Sequence, residues 1–180
     1  MTPIRSAAAA SAKIAAALLA LCFTLGAQAA TAWSESSSGD LSNDGLAPTL
    51  LSFGLGSNTV FGGAGNSGEG IDRDYFSFVV PVGMALTGLT LLDGTSISGA
   101  SSFLGLQAGP QLTVTPSGAG VENLLGFLHY GNDQIGTDLL PTLAVGMTGG
   151  LPSGAYSVWV QETGGSIQYG FDFAISAVPE

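Results

Sequence analysis

The stretch of residues 70–81 limits the possible folds more than any other part of this sequence. An acidic turn containing Asp72 and Asp74 leads directly into a run of aromatic and β-branched residues. Successive side chains of an extended chain point to opposite faces, so this pattern predicts a core strand with both carboxylates on one side of its start. One face carries Tyr75, Ser77 and Val79, and the other carries Phe76, Phe78 and Val80.

The sequence as a whole also predicts strands rather than helices. It contains 28 glycines among 180 residues, and it is poor in Lys and Glu, which favours short strands joined by tight turns. Further strands are predicted at residues 48–55, 57–61, 84–92, 103–107, 111–115, 155–161 and 168–176. Strands at this density predict an all-β fold with two packed antiparallel sheets.

Three connections are interpreted from their turn residues. Residues 62–70 have the spelling of a dinucleotide-binding loop, but their acidic neighbours would repel a pyrophosphate, so we expect a flexible loop. Residues 162–166 predict a hairpin between the last two strands. The mixed periodicity of residues 121–131 leaves a strand and a helical turn both open.

The first residues have the pattern of a secretory signal peptide. Arg5 and Lys13 supply the positive charge, residues 14–25 are apolar, and Ala27-Gln28-Ala29 forms a cleavage site. The apolar run is too short to span a membrane, so we expect residues 1–29 to be removed and no stable membrane insertion. Cys22, the single cysteine, lies in this segment, so the exported domain must fold without a disulfide.

The exported chain is strongly acidic. Arg73 stands alone against 13 acidic residues, which gives a formal charge of −12. Nucleic acids are therefore excluded as partners, because binding them requires many Lys or Arg side chains. Cations are the natural counterpart of such a chain.

The exported chain offers few residues for catalysis. No Gly-x-Ser-x-Gly motif is present, and His129 is the only histidine available as a base. Asp133 and Asp138 follow it and could orient it, but a lone histidine beside Tyr130 is more typical of packing. We therefore expect a protein without enzymatic activity.

Calcium binding is the chemistry that the acidic residues favour. Calcium takes six to eight oxygen ligands, and two groups of side chains could supply them. The first group is Glu35, Asp40, Asn43 and Asp44, and the second is Asp72 and Asp74. If the first group folds back against the predicted strand at 70–81, the oxygens converge and an ion replaces the missing disulfide. The alternative is a solvated, turn-rich segment.

Several motifs resemble the bacterial pre-peptidase C-terminal domain. The strongest are Asp72-x-Asp74-Tyr75-Phe76-Ser77-Phe78-Val79-Val80-Pro81 and Leu151-Pro152-Ser153-Gly154-Ala155-Tyr156-Ser157-Val158-Trp159-Val160-Gln161-Glu162. The resemblance implies a jelly-roll-like β-sandwich over residues 30–176, and it weakens between residues 95 and 120.

Members of that family related to secreted collagenases bind calcium, and the resemblance therefore implies a metal site here. The residues that match their pattern are Glu35, Asn43, Asp44, Asp72 and Asp74, whereas Asp40 is added from its spacing alone.

Residues 177–180 resemble the start of the PEP-CTERM sorting signal of Gram-negative exported proteins. The signal continues into a membrane helix in that family, whereas this sequence stops at Glu180, so we expect a truncated or absent anchor. The resemblance implies a location outside the cell or on its surface. It also implies extracellular polysaccharide or envelope proteins as partners.

The sequence thus leads to two functional hypotheses. The first is an exported, non-enzymatic β-sandwich of the cell envelope or extracellular matrix, stabilised by calcium. The alternative is a secreted carbohydrate- or protein-binding module that uses Trp33, Tyr130 or Trp159 on an exposed face. The exposure of Trp159 discriminates between them, because a stacking platform must be open to solvent.

Overall fold

The structure is a computed structural model that describes residues 29–66, 68, 70–99 and 101–179. The predicted signal peptide lies outside these residues except for Ala29, and so does Glu180 of the predicted sorting signal.

Ten strands and four short helical turns are assigned within this described part. The strands are β1 (Ala30–Ser34), β2 (Thr49–Leu50), β3 (Gly56–Asn66), β4 (Ile71–Val80), β5 (Met84–Leu91), β6 (Ser96–Ile97), β7 (Ser102–Ala108), β8 (Leu124–Tyr130), β9 (Gly154–Gln161) and β10 (Ser166–Ala177). The helical turns are α1 (Glu35–Ser38), α2 (Leu140–Leu143) and the 3₁₀ turns Val121–Asn123 and Asn132–Gln134. No helix in the described residues is long and apolar enough to cross a membrane.

The strands form one continuous sheet that curls into two layers. The first layer has the order β5-β10-β3, and the second has the order β4-β9-β7-β8. β3 and β4 pair only through Gly65 with Asp72 and Asn66 with Ile71, so the sheet turns a corner there. The short strands β1, β2 and β6 add to β3, β4 and β10. The predicted all-β class is confirmed, and the curled sheet is compatible with a sandwich.

The core lies between the inner faces of the two layers. Phe76 and Phe78 of β4 meet Phe173 of β10 with ring centroids 5.8 and 5.4 Å apart. All three rings are fully buried, and each contributes roughly 1.5–3 kcal/mol of hydrophobic stabilisation. The face predicted for Phe76, Phe78 and Val80 is therefore the inner one.

The expectation of a flexible loop at residues 62–70 was wrong for its first half. Residues 62–66 belong to β3, and residues 62–65 pair with β10. A Cβ atom at Gly62 or Gly63 would collide with the side chain of Tyr169 or Gln168 on β10. These glycines therefore make room for neighbouring side chains within a regular strand.

The predicted hairpin at residues 162–166 was also wrong. β9 pairs with β4 and β7, whereas β10 pairs with β3, β5 and β6, so the connection crosses from one layer to the other. The buried Glu162 fixes the crossing, because its carboxylate accepts hydrogen bonds from Ser102 Oγ at 3.0 Å and the Gly164 N–H at 2.7 Å. The turn residues specify that the chain bends there, but they do not specify which strands pair.

The segment at residues 111–115, predicted as a strand, belongs to no assigned strand. The side-chain amide of Gln107 replaces a strand partner, since its Oε1 accepts from the Thr113 N–H and its Nε2 donates to Thr113 Oγ1, both at 3.0 Å. The open question at residues 121–131 resolves into both elements, a 3₁₀ turn followed by β8.

Candidate metal site

The acidic segment, residues 35–44, folds back against the start of β4. Ser42 forms an antiparallel bridge with Tyr75, whose backbone N–H donates to the Ser42 carbonyl oxygen at 2.8 Å. Beside this bridge, the Arg73 N–H donates to Asn43 Oδ1 at 2.7 Å. The preceding strand β1 pairs with β3 in the other layer. The acidic segment therefore spans the corner where the two layers meet.

Asp74 lies on the inner face of β4, and its side chain is 0% exposed. Its Oδ2 accepts a hydrogen bond from the Tyr169 hydroxyl at 2.7 Å. Its Oδ1 is buried and has no hydrogen-bond partner among the described residues. A buried carboxylate in this situation either takes up a proton or requires a cation, because an isolated buried charge costs several kcal/mol.

Glu35 begins α1 and turns its carboxylate toward β3. Its Oε2 accepts from the Gly63 N–H at 2.7 Å, and its Oε1 accepts from the Leu41 N–H at 3.2 Å. These two bonds hold the half-buried carboxylate between the acidic segment and the first layer.

The carboxylates of Glu35, Asp40 and Asp74 converge. One oxygen from each lies within 4.8 Å of the other two, and the group runs from the buried Asp74 to the exposed Asp40. Two oxygens that bind one calcium ion at 2.3–2.6 Å can be separated by at most about 5 Å. The spacing therefore suits a shared ion, and the all-oxygen donor set suits a hard cation rather than zinc.

Burial and the neighbouring negative charges raise the pKa values of Asp74, Glu35 and Asp72. Loss of solvent raises the pKa of Asp74 to about 8, although the hydrogen bond from Tyr169 acts in the opposite direction. The neighbouring negative charges of Glu35, Asp72 and Asp40 add to this rise. Burial also raises the pKa of Glu35 and of Asp72. A bound cation would relieve all of these unfavourable interactions.

The other predicted ligands lie beside the converging carboxylates. Asn43 Nδ2 donates to Asp72 Oδ1 at 2.9 Å, which orients the Asp72 carboxylate at the edge of the group. Asp44 has a different role, because its Oδ1 accepts from the Leu46 N–H at 2.9 Å within its own turn. Asp44 is not part of the group of converging oxygens found among the described residues.

Sequence reasoning missed three residues that shape the site. Tyr169 provides the hydroxyl that binds Asp74, and Gly63 provides the backbone N–H that binds Glu35. A Cβ atom at Gly62 would lie 2.5 Å from the Tyr169 hydroxyl oxygen and 3.1 Å from the Glu35 carboxyl carbon. The only signal in the sequence was the Gly62-Gly63 pair, and its role depends on a pairing with β10 about one hundred residues away.

The aromatic residues considered for ligand stacking are largely covered. Tyr130 is fully buried, Trp159 is 4% exposed and Trp33 is half-buried. The ring of Trp159 is therefore not an open platform.

His129 is exposed on β8, and none of the described carboxylates orients its ring. Within the described residues, no hydrogen bond joins its ring to Asp133 or Asp138. The Asp138 carboxylate is engaged elsewhere, since its Oδ1 accepts from the N–H groups of Leu89 and Leu140.

The chain was compared with models of protein families, with curated proteins and with solved structures, and it matches none of them.

Proposed function

We propose that this chain is an exported, non-enzymatic β-sandwich of the cell envelope or extracellular matrix whose acidic segment is fastened by one calcium ion. The observation that carries the calcium site is the unpartnered Oδ1 of the buried Asp74, in a carboxylate that converges with those of Glu35 and Asp40. The ion is the partner that this buried oxygen lacks.

Calcium fits this group better than magnesium. Calcium accepts irregular coordination by six to eight oxygens, whereas magnesium requires a near-octahedral site and retains several waters. Glu35, Asp40 and Asp74 would bind the ion directly, and Asp72, oriented by Asn43, would be the fourth acidic group near it. Extracellular modules of this kind bind calcium with dissociation constants on the order of 10⁻⁴ to 10⁻³ M.

The role proposed for the ion is to stabilise the fold. After export the chain has no cysteine, and the acidic segment is joined to β4 by few backbone hydrogen bonds. One ion would connect this segment to the buried inner face of β4. At 1 mM calcium, such binding stabilises the folded state by about 0.4 to 1.4 kcal/mol, and at 10 mM by about 1.4 to 2.7 kcal/mol.

Thermal unfolding tests the calcium site. The full chain is expressed, purified after export and melted with calcium, with magnesium and with a chelator. We expect calcium to raise the melting temperature by several degrees, magnesium to raise it less, and Asp74→Asn to remove the calcium effect.

Asp133→Asn is the matched control, because Asp133 is exposed and outside the group of converging carboxylates. It makes the same Asp→Asn change at a site away from the converging carboxylates, so it should keep the full calcium effect. An equal calcium response in the Asp74 and Asp133 variants would show that calcium acts through general screening, and it would contradict the proposed site.

Export is supported by the signal pattern before Ala30 and by the acidic, cysteine-free composition that follows it. Amino-terminal sequencing of the protein recovered from the periplasm or medium tests this part independently. We expect a new first residue at Ala30 or Thr31. Retention in the cytoplasm with an intact amino terminus would contradict export and leave the calcium site unaffected.

A further inference from the structure

We infer that the outer face of the second layer carries a binding groove for a neutral sugar, in addition to the proposed calcium site. The groove has a volume of about 270 Å³ and lies over β7, β8 and β9. Its floor includes Phe103, Phe127 and Trp159, and the segment from Val114 to Val121 forms one wall.

The strand register places two rows of side chains across this face. Directly paired residues of adjacent strands point to the same side, so each row crosses four strands. The first row is Arg73, Gln161, Phe103 and His129, which is polar except for Phe103. The second row is Tyr75, Trp159, Gly105 and Phe127, which is aromatic except for Gly105. Hydrogen-bonding groups thus lie beside a continuous aromatic surface.

Gly105 allows the two rows to merge into one aromatic surface. A Cβ atom there would lie 3.0 Å from the ring of Phe103, which leans over the glycine. Phe103 therefore contacts Trp159 at a centroid distance of 4.6 Å and stacks on Phe127 at 5.9 Å.

Within the described part of the chain, other residues cover one end of this surface and leave the other end exposed. Leu112 and Val114 pack over Tyr75 and Trp159 as a separate apolar cluster. At the other end, Phe127 remains 49% exposed. Exposed aromatic rings in a concave site with a few polar groups are typical of a ligand-binding surface.

The polar groups at the groove are mostly hydrogen-bond donors. Trp159 Nε1 is buried and has no acceptor among the described residues, which is uncommon for a buried N–H. Gln161 Oε1 accepts from Arg73 Nε, so its amide N–H₂ is the end left to donate. The ring nitrogens of His129 make no hydrogen bond within the described part of the chain. The Gln161 amide and the His129 ring therefore suit a ligand that is rich in oxygen acceptors.

The charges favour a neutral ligand. Among the described residues, no Asp, Glu, Lys or Arg side chain lines the groove, and the chain outside residues 1–28 has a formal charge of −12. This charge repels an acidic polysaccharide. A neutral pyranose has an apolar face of C–H groups that can stack on Phe127, and hydroxyl oxygens at its edge that can accept from Gln161 and His129.

Isothermal titration calorimetry with neutral pentasaccharides tests the inference. The full chain, purified after export and kept in calcium, is titrated with cellopentaose, laminaripentaose, mannopentaose and chitopentaose, and with an alginate pentasaccharide as the acidic probe. We expect saturable binding of at least one neutral probe, no binding of alginate, and little change with added salt. Failure of every neutral probe, or binding of alginate alone, would overturn the inference.

Two variants locate the binding. Phe127→Ala should weaken it at least tenfold, whereas Val79→Ala should not change it, because Val79 is 51% exposed on the same face but outside the groove. Both side chains are exposed, so both variants should fold. Equal effects of the two changes would exclude the groove.

The indole N–H signals in an NMR spectrum provide a second readout. On addition of the sugar, the Trp159 signal should shift and the Trp33 signal should not, with assignment by Trp33→Phe. The same titration with Asp74→Asn separates this site from the proposed calcium site, since the groove shares no lining residue with the converging carboxylates. The affinity for the sugar should be unchanged in that variant, even if calcium does not bind. A Trp159 signal that does not shift on addition of the sugar would contradict the inference.

Discussion

Asp74 combines complete burial with an unpartnered oxygen, and both properties follow from its position on β4. The residue lies on the inner face with Phe76 and Phe78, at the strand's acidic start. The period-two pattern predicted that Asp72 and Asp74 share a side. It did not predict that this side faces the core, because the burial of a strand face depends on the layer that packs against it.

The buried Asp74 carboxyl should make stability depend on pH when calcium is absent. An aspartate in the unfolded chain has a pKa of about 3.9, whereas burial raises the pKa of Asp74 in the folded protein to about 8. The folded state therefore binds this proton more tightly. The free energy of unfolding should be largest below about pH 4 and should fall as the pH rises to about 8.

Chemical denaturation in chelator, measured across this pH range, checks the slope. Asp74→Asn should flatten most of it, and the raised pKa values of Glu35 and Asp72 should leave a smaller slope of the same sign. A slope as steep in the variant as in the unchanged protein would show that Asp74 does not titrate in this way.

At the level of the elements, β3 determines the shape of the site. Its glycines let Tyr169 and Glu35 approach the strand, and Gly63 binds Glu35 through the backbone. A glycine run is usually interpreted as a flexible connection, but here it is a regular strand with side chains packed directly on its backbone.

Gly62→Ala should disturb the site through steric overlap. The added Cβ atom would lie 2.5 Å from the Tyr169 hydroxyl, so the tyrosine must move and release Asp74. We expect a loss of about 1–3 kcal/mol, typical of overpacking, together with loss of the calcium-dependent rise in melting temperature.

Gly54→Ala is the control, because no atom lies within 4 Å of a Cβ added there. It should change neither the stability nor the calcium response. Equal melting curves for the Gly62 variant and the unchanged protein would show that Tyr169 does not depend on this glycine.

The strands were easier to predict from the sequence than their partners. Alternation of apolar residues located β4, β9 and β10 to within about two residues and placed Phe76, Phe78 and Val80 together on one face of β4. The pairing of β10 with β3 joins residues more than one hundred positions apart, and no local pattern encodes it. For the same reason, Asp72 and Asp74 could be grouped from spacing, whereas Tyr169 could not.

At the level of the whole molecule, the acidic segment connects the two layers. β1 pairs with β3 on one side, and Ser42 and Asn43 bind β4 on the other. Few backbone hydrogen bonds hold the acidic segment, so it should belong to the least stable part of the fold when no ion is bound.

Hydrogen exchange should reveal this difference in local stability. On removal of calcium, amides of residues 39–44 should exchange at least tenfold faster, while those of the central strands β9 and β10 should not change. Mass spectrometry of peptides from each region provides the comparison. Uniform acceleration across the chain would indicate that the ion supports the whole fold rather than this segment.

The crossing at Glu162 has a consequence for how the protein is made. β9 lies between β4 and β7, and β10 lies between β5 and β3, so the central strands of both layers come from residues 154–177. During synthesis, neither layer can be completed until residues 154–177 have left the ribosome. We therefore expect the earlier strands to remain incompletely folded until then, and an incompletely folded polypeptide can be threaded through a narrow translocation channel.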